Sequence, residues 1–345
     1  MTNIYFVEEN LPFTDKLSSD TLFSDYANLW ISENQNSLSP KTLSRYKSLL
    51  CRINMGIGHL SLSKITAHHL NLFYQKLGQE GANLRNGKKL SDKTILHHHR
   101  LISVILQSAT REGIITVNPA SRDSIKTPSA QSTEVTPYQI EDVRKLISSF
   151  DDMNIKWRTI TILLLTTGIR RGELLGLTWN DIDTKNKIIS INKNVVYTPE
   201  SGIVVKSPKT KKSIRLIKYE DKLLHTAIVS YKSWYESFYG TTQKGSYLFP
   251  SENMTVMHPD TVTKYITRHC SKHNLKHCTP HKLRHTYVSM MIALNMPIKE
   301  ISTNVGHAQL TTTCNIYAHQ IARQQAKALA PIESLIYNNV SRDTL

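Results

Sequence analysis

Residues 188–218 read IISINKNVVYTPESGIVVKSPKTKKSIRLIK, and here the apolar period is two. Ile189 and Ile191 alternate with Ser190 and Asn192, while Val195, Val196, Ile203, Val204 and Val205 surround the turn Pro199-Glu200-Ser201-Gly202. Ile214, Leu216 and Ile217 supply one more strand. Alternation with β-branched residues marks short antiparallel strands. Upstream, Trp157 to Thr167 is apolar enough for a buried helix, and Thr136-Pro137 caps another in which Ile140, Val143, Leu146 and Ile147 keep helical spacing. Downstream, helices resume near Glu220. The fold class is therefore mainly α with a small antiparallel β-sheet.

Toward the N-terminus the pattern is all helical. Leu22, Phe23, Tyr26, Leu29 and Trp30 mark a first helix, and Ser39-Pro40 starts a second with proline in its favoured first turn. A third runs from about Thr66 to Leu77, and a fourth from near Ser91 to Arg111, where Glu112-Gly113 stops it. Between Ala120 and Pro137 there is almost no large apolar residue, the composition of a linker. The predicted organisation is a poorly ordered arm at 1–20, a helical domain at 21–120, a linker at 121–132, a mixed α+β domain at 133–320 and an amphipathic tail at 321–345.

A chain of 345 residues is long enough for two domains with cores of their own. Its 43 Lys and Arg against 27 Asp and Glu give a formal net charge of +16, and the excess is clustered. Lys206, Lys209, Lys211, Lys212, Arg215 and Lys218 fall between Ile203 and Lys218 with no acid among them. From Thr261 to Ile332 the only acid is Glu300. A solvated surface normally mixes both signs; a one-sign face points to a polyanion, and nucleic acid is the first candidate.

Other classes find little support. The longest apolar stretch, Ile160 to Leu165, is far too short to cross a bilayer. Cys51, Cys270, Cys278 and Cys314 form no CxxC pair, which fits a reducing cytoplasm. Gly87-Lys88-Lys89 lacks the glycine spacing of a phosphate-binding loop, and there is no GxSxG elbow. His269, His273 and His277 recur every four residues beside Cys270 and Cys278, as a zinc cluster could; Lys264, Arg268, Lys272 and Lys276 share that spacing, as on a solvated or DNA-facing helix. His97 to His99 read as surface or DNA-facing.

Three clusters carry chemistry. Arg170 and Arg171 follow the buried helix in TGIRRGE, offering planar forks for phosphate oxygens beside Glu173, although a surface salt bridge to Glu173 has the same sequence. Thr279-Pro280 opens a helix that places His281 and Arg284 at i and i+3, so that imidazole and guanidinium can converge on one phosphate. Gly306-His307 is followed ten residues later by Tyr317, which alone could be an ordinary packed aromatic.

In order and spacing these clusters resemble the tyrosine recombinases, specifically the integrases of phages and integrative conjugative elements. The motifs TGIRRGE, SPKTKKSIRLI, TPHKLRHT and VGHAQLTTTCNIYAH carry the resemblance over nearly the whole chain. It implies a helical, SAM-like core-binding domain at 21–120 and a mixed α+β catalytic domain at 133–320. Arg170 and Arg284 would be the phosphate clamp, Lys209 the hairpin lysine, His281 and His307 supporting histidines, Tyr317 the nucleophile and Glu173 a structural acid. Lys206, Lys211 and Lys212 are alternatives to Lys209, and Arg171 would contact DNA.

The reaction so implied is site-specific strand exchange through a 3′-phosphotyrosine, serving integration and excision of a mobile element without cofactor or metal. Its implied partners are double-stranded attachment sites, a homotetramer on synapsed DNA with the tail packed on a neighbouring protomer, and an excisionase or DNA-bending protein. The implied location is the nucleoid of a bacterial cytoplasm. An arm-binding domain of the kind some relatives carry would be missing or vestigial. The alternatives are a Xer-like chromosome-dimer resolvase and a non-catalytic DNA-binding protein on the same fold.

Overall fold

The computed structural model describes residues 17–84, 86–128, 136–206, 214–241, 245–306, 309–311, 313–314, 317–318 and 321. They form two compact units divided after residue 133, the hairpin tip 198–200 aside. The first contains helices α1 (Phe23–Asn34), α2 (Pro40–Ile57), α3 (Ala67–Leu77) and α4 (Asp92–Arg111). Ser39 and Ser91 cap α2 and α4 by accepting from the third backbone N–H onward, and Thr66 caps α3 in a reciprocal box with His69. Phe23, Tyr26, Ile53, Leu70, Leu101, Ile102 and Ile105 fill the core. Burying each such side chain contributes about 1.5–3 kcal/mol.

The boundaries of this unit differ from the sequence expectation. Ser19 accepts a backbone hydrogen bond from Ser63, so the end of the expected arm is tied down. Ile125, expected in the linker, is 5% exposed and closes the first core. His98 and His99 are buried, with His99 bonded to the Tyr74 hydroxyl and His98 to the Thr94 carbonyl. They are core histidines and not the surface or DNA-facing residues expected from the run.

The second unit comprises α5 (Ile140–Ser148), α6 (Ile155–Thr167), α7 (Arg171–Gly176), β1 (Ile182–Asp183), β2 (Ile188–Ile191), β3 (Asn194–Thr198), β4 (Gly202–Lys206), β5 (Arg215–Lys218), α8 (Lys222–Tyr239), α9 (Pro259–Lys272), α10 (Pro280–Ala293) and α11 (Ile298–Val305). α5 starts three residues after Thr136-Pro137, with Gln139 and Asp142 as its reciprocal cap. α6 is buried nearly all round, packed against α8 and α10. It ends at Gly168 with φ 61°, where a Cβ would lie 2.4 Å from the Tyr287 ring, so both backbone and space demand glycine. No described helix is long and apolar enough to cross a membrane.

The strands make two sheets: β1, β2 and β5 are antiparallel, and β3 pairs with β4. Ile189 lies opposite Ile217 and Ile191 opposite Arg215. Because side chains alternate, Arg215 and Ile217 point inward while Leu216 is 67% exposed. Arg215 thus shares the inward face of β5 with Ile217 and is no hairpin cation lying along a phosphate backbone.

Candidate active site

Four elements deliver the site. Gly168 turns the chain so that Arg170 caps α7, β5 supplies Arg215, α10 supplies His281, Arg284 and His285, and α11 ends at Gly306. At the centre lies Glu173, 3% exposed. Its carboxylate accepts from the Arg170 backbone N–H at 2.9 Å and from Arg170 Nη1 at 2.8 Å. On the other side Arg215 donates through Nη2 at 2.9 Å and Nη1 at 3.2 Å. Burial pushes the Glu173 carboxyl up, but the Arg215 hydrogen bond and charge, with those of Arg170, outweigh it and hold the group below the usual glutamate range.

This depressed pKa gives stability above the ordinary glutamate pKa of about 4.3, lost as pH falls through the folded-state value. Glu173→Gln should destabilise the fold by about 3–5 kcal/mol, because it strands buried guanidinium charge. Urea denaturation at pH 7 measures that loss. A smaller gap between variant and wild type at acid pH identifies the carboxylate charge as its source.

The arginines reach further than their acid. Arg170 Nη2 donates to the Gly306 carbonyl at 2.7 Å, and Arg215 Nε to the Asn304 carbonyl at 2.7 Å, so both hold the end of α11. Gly306 has φ 68°, and a Cβ there would sit 2.7 Å from Arg215 Nη1 and 3.2 Å from Arg170 Nη1. The side chain of Arg170 remains 39% exposed.

Arg284 donates through Nη1 to the Gly168 carbonyl at 2.8 Å, while its buried Nη2 has no partner among the described residues. Burial, then the charge of Arg170, pushes its guanidinium down to about 9, so it stays cationic at neutral pH. Three guanidiniums therefore lie around one carboxylate, and the Arg284 Nη2 group has no partner among the described residues. Such a cluster suits an anion with oxygen acceptors.

Tyr317 packs among Tyr287, Val288, Ile292, Ile301 and Val305. Its hydroxyl lies 2.5 Å from His285 Nδ1, and His285 Nε2 lies 3.0 Å from His281 Nε2. Burial raises the Tyr317 hydroxyl above its ordinary value, with Arg284 pulling the other way, so the phenol keeps its proton. Burial, then His281 and Arg284, lowers His285 to about 4 and leaves it neutral. Loss of hydration, then Arg284 and Arg170, also lowers His281, although its side chain is exposed.

Of the residues expected in the site, Arg170, Glu173, His281, Arg284 and Tyr317 are gathered here, while Lys209 and His307 lie outside the described residues. Sequence reasoning missed Arg215 and His285. Arg215 could have been found from its position two before buried Ile217, and His285 from its i+4 spacing to His281. Arg171, expected to contact DNA, instead donates to Asp260 at 3.0 Å and Thr263 at 2.7 Å, joining α7 to α9. His269 is bonded to Ser149 and Cys270 sits in the core; among the described residues no His, Cys, Asp and Glu group could hold a metal ion.

Known proteins share this architecture. A XerC-like tyrosine recombinase of Caldanaerobacter subterraneus is 25% identical over 337 residues, 92% of this chain and 84% of the relative. The ICEBs1 integrase of Bacillus subtilis is 25% identical over 279 residues, 80% of this chain and 72% of that protein. The Tn1549 transposon integrase, solved with a circular intermediate DNA, has the same fold with a TM-score of 0.74 at 21% identity, covering 90% of this chain and all of that one. Residues 22–126 match the phage integrase SAM-like domain and residues 137–324 the phage integrase family. A match to the phage integrase family over more than half of the chain, on a fold that gathers a tyrosine and three arginines at one site, places the protein in that family as a tyrosine-type site-specific recombinase.

Proposed function

We propose that the protein cuts and rejoins duplex DNA at the ends of an integrating mobile element, with Tyr317 as nucleophile and a 3′-phosphotyrosine as intermediate. The observation that carries this reading is the convergence of Arg170, Arg215 and Arg284 around the single carboxylate of Glu173, with Arg284 also acting on the buried Tyr317 hydroxyl. A phenol with an ordinary pKa of about 10 is a poor nucleophile toward an anionic diester. Arg170 and Arg284 neutralise the nonbridging oxygens, the electrostatic and positioning work that dominates phosphoryl transfer. Arg215 and Glu173 hold Arg170 and the α11 end in place.

Lys209 protonates the departing 5′ oxygen in this scheme, and His307 hydrogen-bonds the phosphate. The ester energy stays in the tyrosine bond, so a 5′ hydroxyl from a partner duplex reverses the step. The SAM-like unit, whose core Ile125 closes, grips the DNA as a core-binding domain, and the second unit carries out the chemistry. The working form is a homotetramer on two synapsed sites, with residues 321–345 packed on a neighbouring protomer, acting at the nucleoid in the cytoplasm with an excisionase or DNA-bending protein.

Wild-type protein incubated with nicked duplexes from the ends of its own element, then denatured, should yield a DNA-linked band on a gel. Binding to the same duplex without a band would sink the catalytic reading in favour of a non-catalytic DNA-binding protein. The XerC-like relative, matched over 92% of this chain, favours a second reading as a chromosome-dimer resolvase with the same chemistry. Adduct formation on a chromosomal resolution site, and none on element ends, selects that reading.

A further inference from the structure

Tyr317 is 5% exposed, and among the described residues the one hydrogen-bond partner of its hydroxyl is His285. A buried phenol that attacks phosphorus must give up a proton, and its hydrogen-bond partner is the first group placed to take it. From His285 the contact continues: Nε2 meets His281 Nε2 at 3.0 Å, one helical turn back along α10, and His281 is exposed. Hydroxyl, buried imidazole and exposed imidazole thus form an unbroken line from the nucleophile to the open side of the site. The spacing i to i+4 stacks the two rings on one helix face.

We propose that His285 is the general base that takes the proton of Tyr317, with His281 as the next acceptor in the relay. This rests on Tyr317 being the nucleophile. As the Tyr317 Oη–P bond forms, the Oη–H bond breaks and its proton goes to His285 Nδ1, while the proton on His285 Nε2 passes to His281 Nε2. The P–O5′ bond breaks, and the 5′ oxygen takes a proton from the general acid. Rejoining runs the same steps backward, returning the proton through His281 and His285 to Tyr317.

The charges around the relay make it depend on substrate. Without DNA, Arg284 and Arg170 oppose a cation at His281, and His281 and Arg284 oppose one at His285. A phosphodiester seated on the arginines cancels part of that field and favours the imidazolium at His281. The Tyr317 proton can then leave only when there is a phosphate to attack, so the unliganded protein keeps its nucleophile in the inert phenol form.

The test compares His285→Ala and His285→Asn with wild type in single-turnover adduct formation on nicked duplex, after DNA binding has shown each variant to be folded. Asparagine accepts a hydrogen bond from the phenol but takes no proton. Both variants should lose about 10²- to 10⁴-fold in rate. Replacing the scissile 5′ oxygen with sulfur removes the need for an acid but not for a base, so neither variant should recover on that substrate. Added imidazole should restore part of the rate to His285→Ala and none to His285→Asn.

Cleavage by His285→Ala within about threefold of wild type overturns the proposal, as does full recovery on the sulfur substrate. Wild-type rate in His285→Asn also overturns it by reducing His285 to a positioning residue. If His285→Ala does not fold, the asparagine variant decides alone. Failure of wild type to form any adduct refutes the recombinase chemistry itself, a separate result.

Discussion

Tyr317→Phe should abolish the covalent protein–DNA adduct, with a loss of at least about 10⁴-fold in cleavage, while DNA binding is retained. Phenylalanine keeps the ring that packs among Tyr287, Val288, Ile292, Ile301 and Val305, so the change removes an oxygen and little else. The arginine cluster, formed by other elements, is untouched and still receives the phosphate. The structural cost is one hydrogen bond to His285, about 1 kcal/mol. A denaturing gel with nicked duplex and a mobility shift on the same DNA read the two effects. A persistent adduct would remove Tyr317 from its assigned role.

Arg284→Met should act on activity and stability in opposite directions. Cleavage should fall by about 10³- to 10⁵-fold, the usual worth of an arginine that stabilises charge in phosphoryl transfer. The free protein should melt at the same temperature as wild type or higher. Arg284 is buried, its Nη2 has no partner among the described residues, and its neighbour Arg170 repels it. An apolar side chain of similar length removes that uncompensated charge at the expense of one hydrogen bond to Gly168. Arg284→Lys keeps the charge but not the fork, and should lose nearly as much activity. A clear fall in melting temperature for Arg284→Met would mean that the guanidinium serves the fold and not the substrate.

Much of this architecture was legible in the sequence for local reasons. Ser39-Pro40, Thr66 and Ser91 are strong helix starts, and the structure uses each of them as a cap. The stretch from Trp157 to Thr167 is apolar enough for a buried helix, and α6 is buried nearly all round. What failed were faces set by tertiary packing. Arg215 reads as one of a row of hairpin cations, yet the register with β2 turns it inward to a carboxylate 42 residues away. Isolated arginines read as DNA contacts because a partner distant in the sequence leaves no local signature; Arg171 and Asp260 repeat the lesson across 89 residues. The histidine run 97–99 misled for the converse reason, since imidazole hydrogen-bonded to Tyr74 or to a helix carbonyl is at home in a core. In the site, the family motif led to Arg170, Glu173, His281, Arg284 and Tyr317, whereas His285 and Arg215 became visible only once α10 and β5 were in place.

Gly306 has no side chain with which to act on DNA, yet its tolerance to substitution is set by two guanidiniums. Its carbonyl holds Arg170, and the space a methyl group would need is filled by Arg215 and Arg170. A mutational scan of recombination would score this position as severely as a catalytic residue. What such a scan measures there is the gap between two like charges, a dimension of the site that no single reactive atom records.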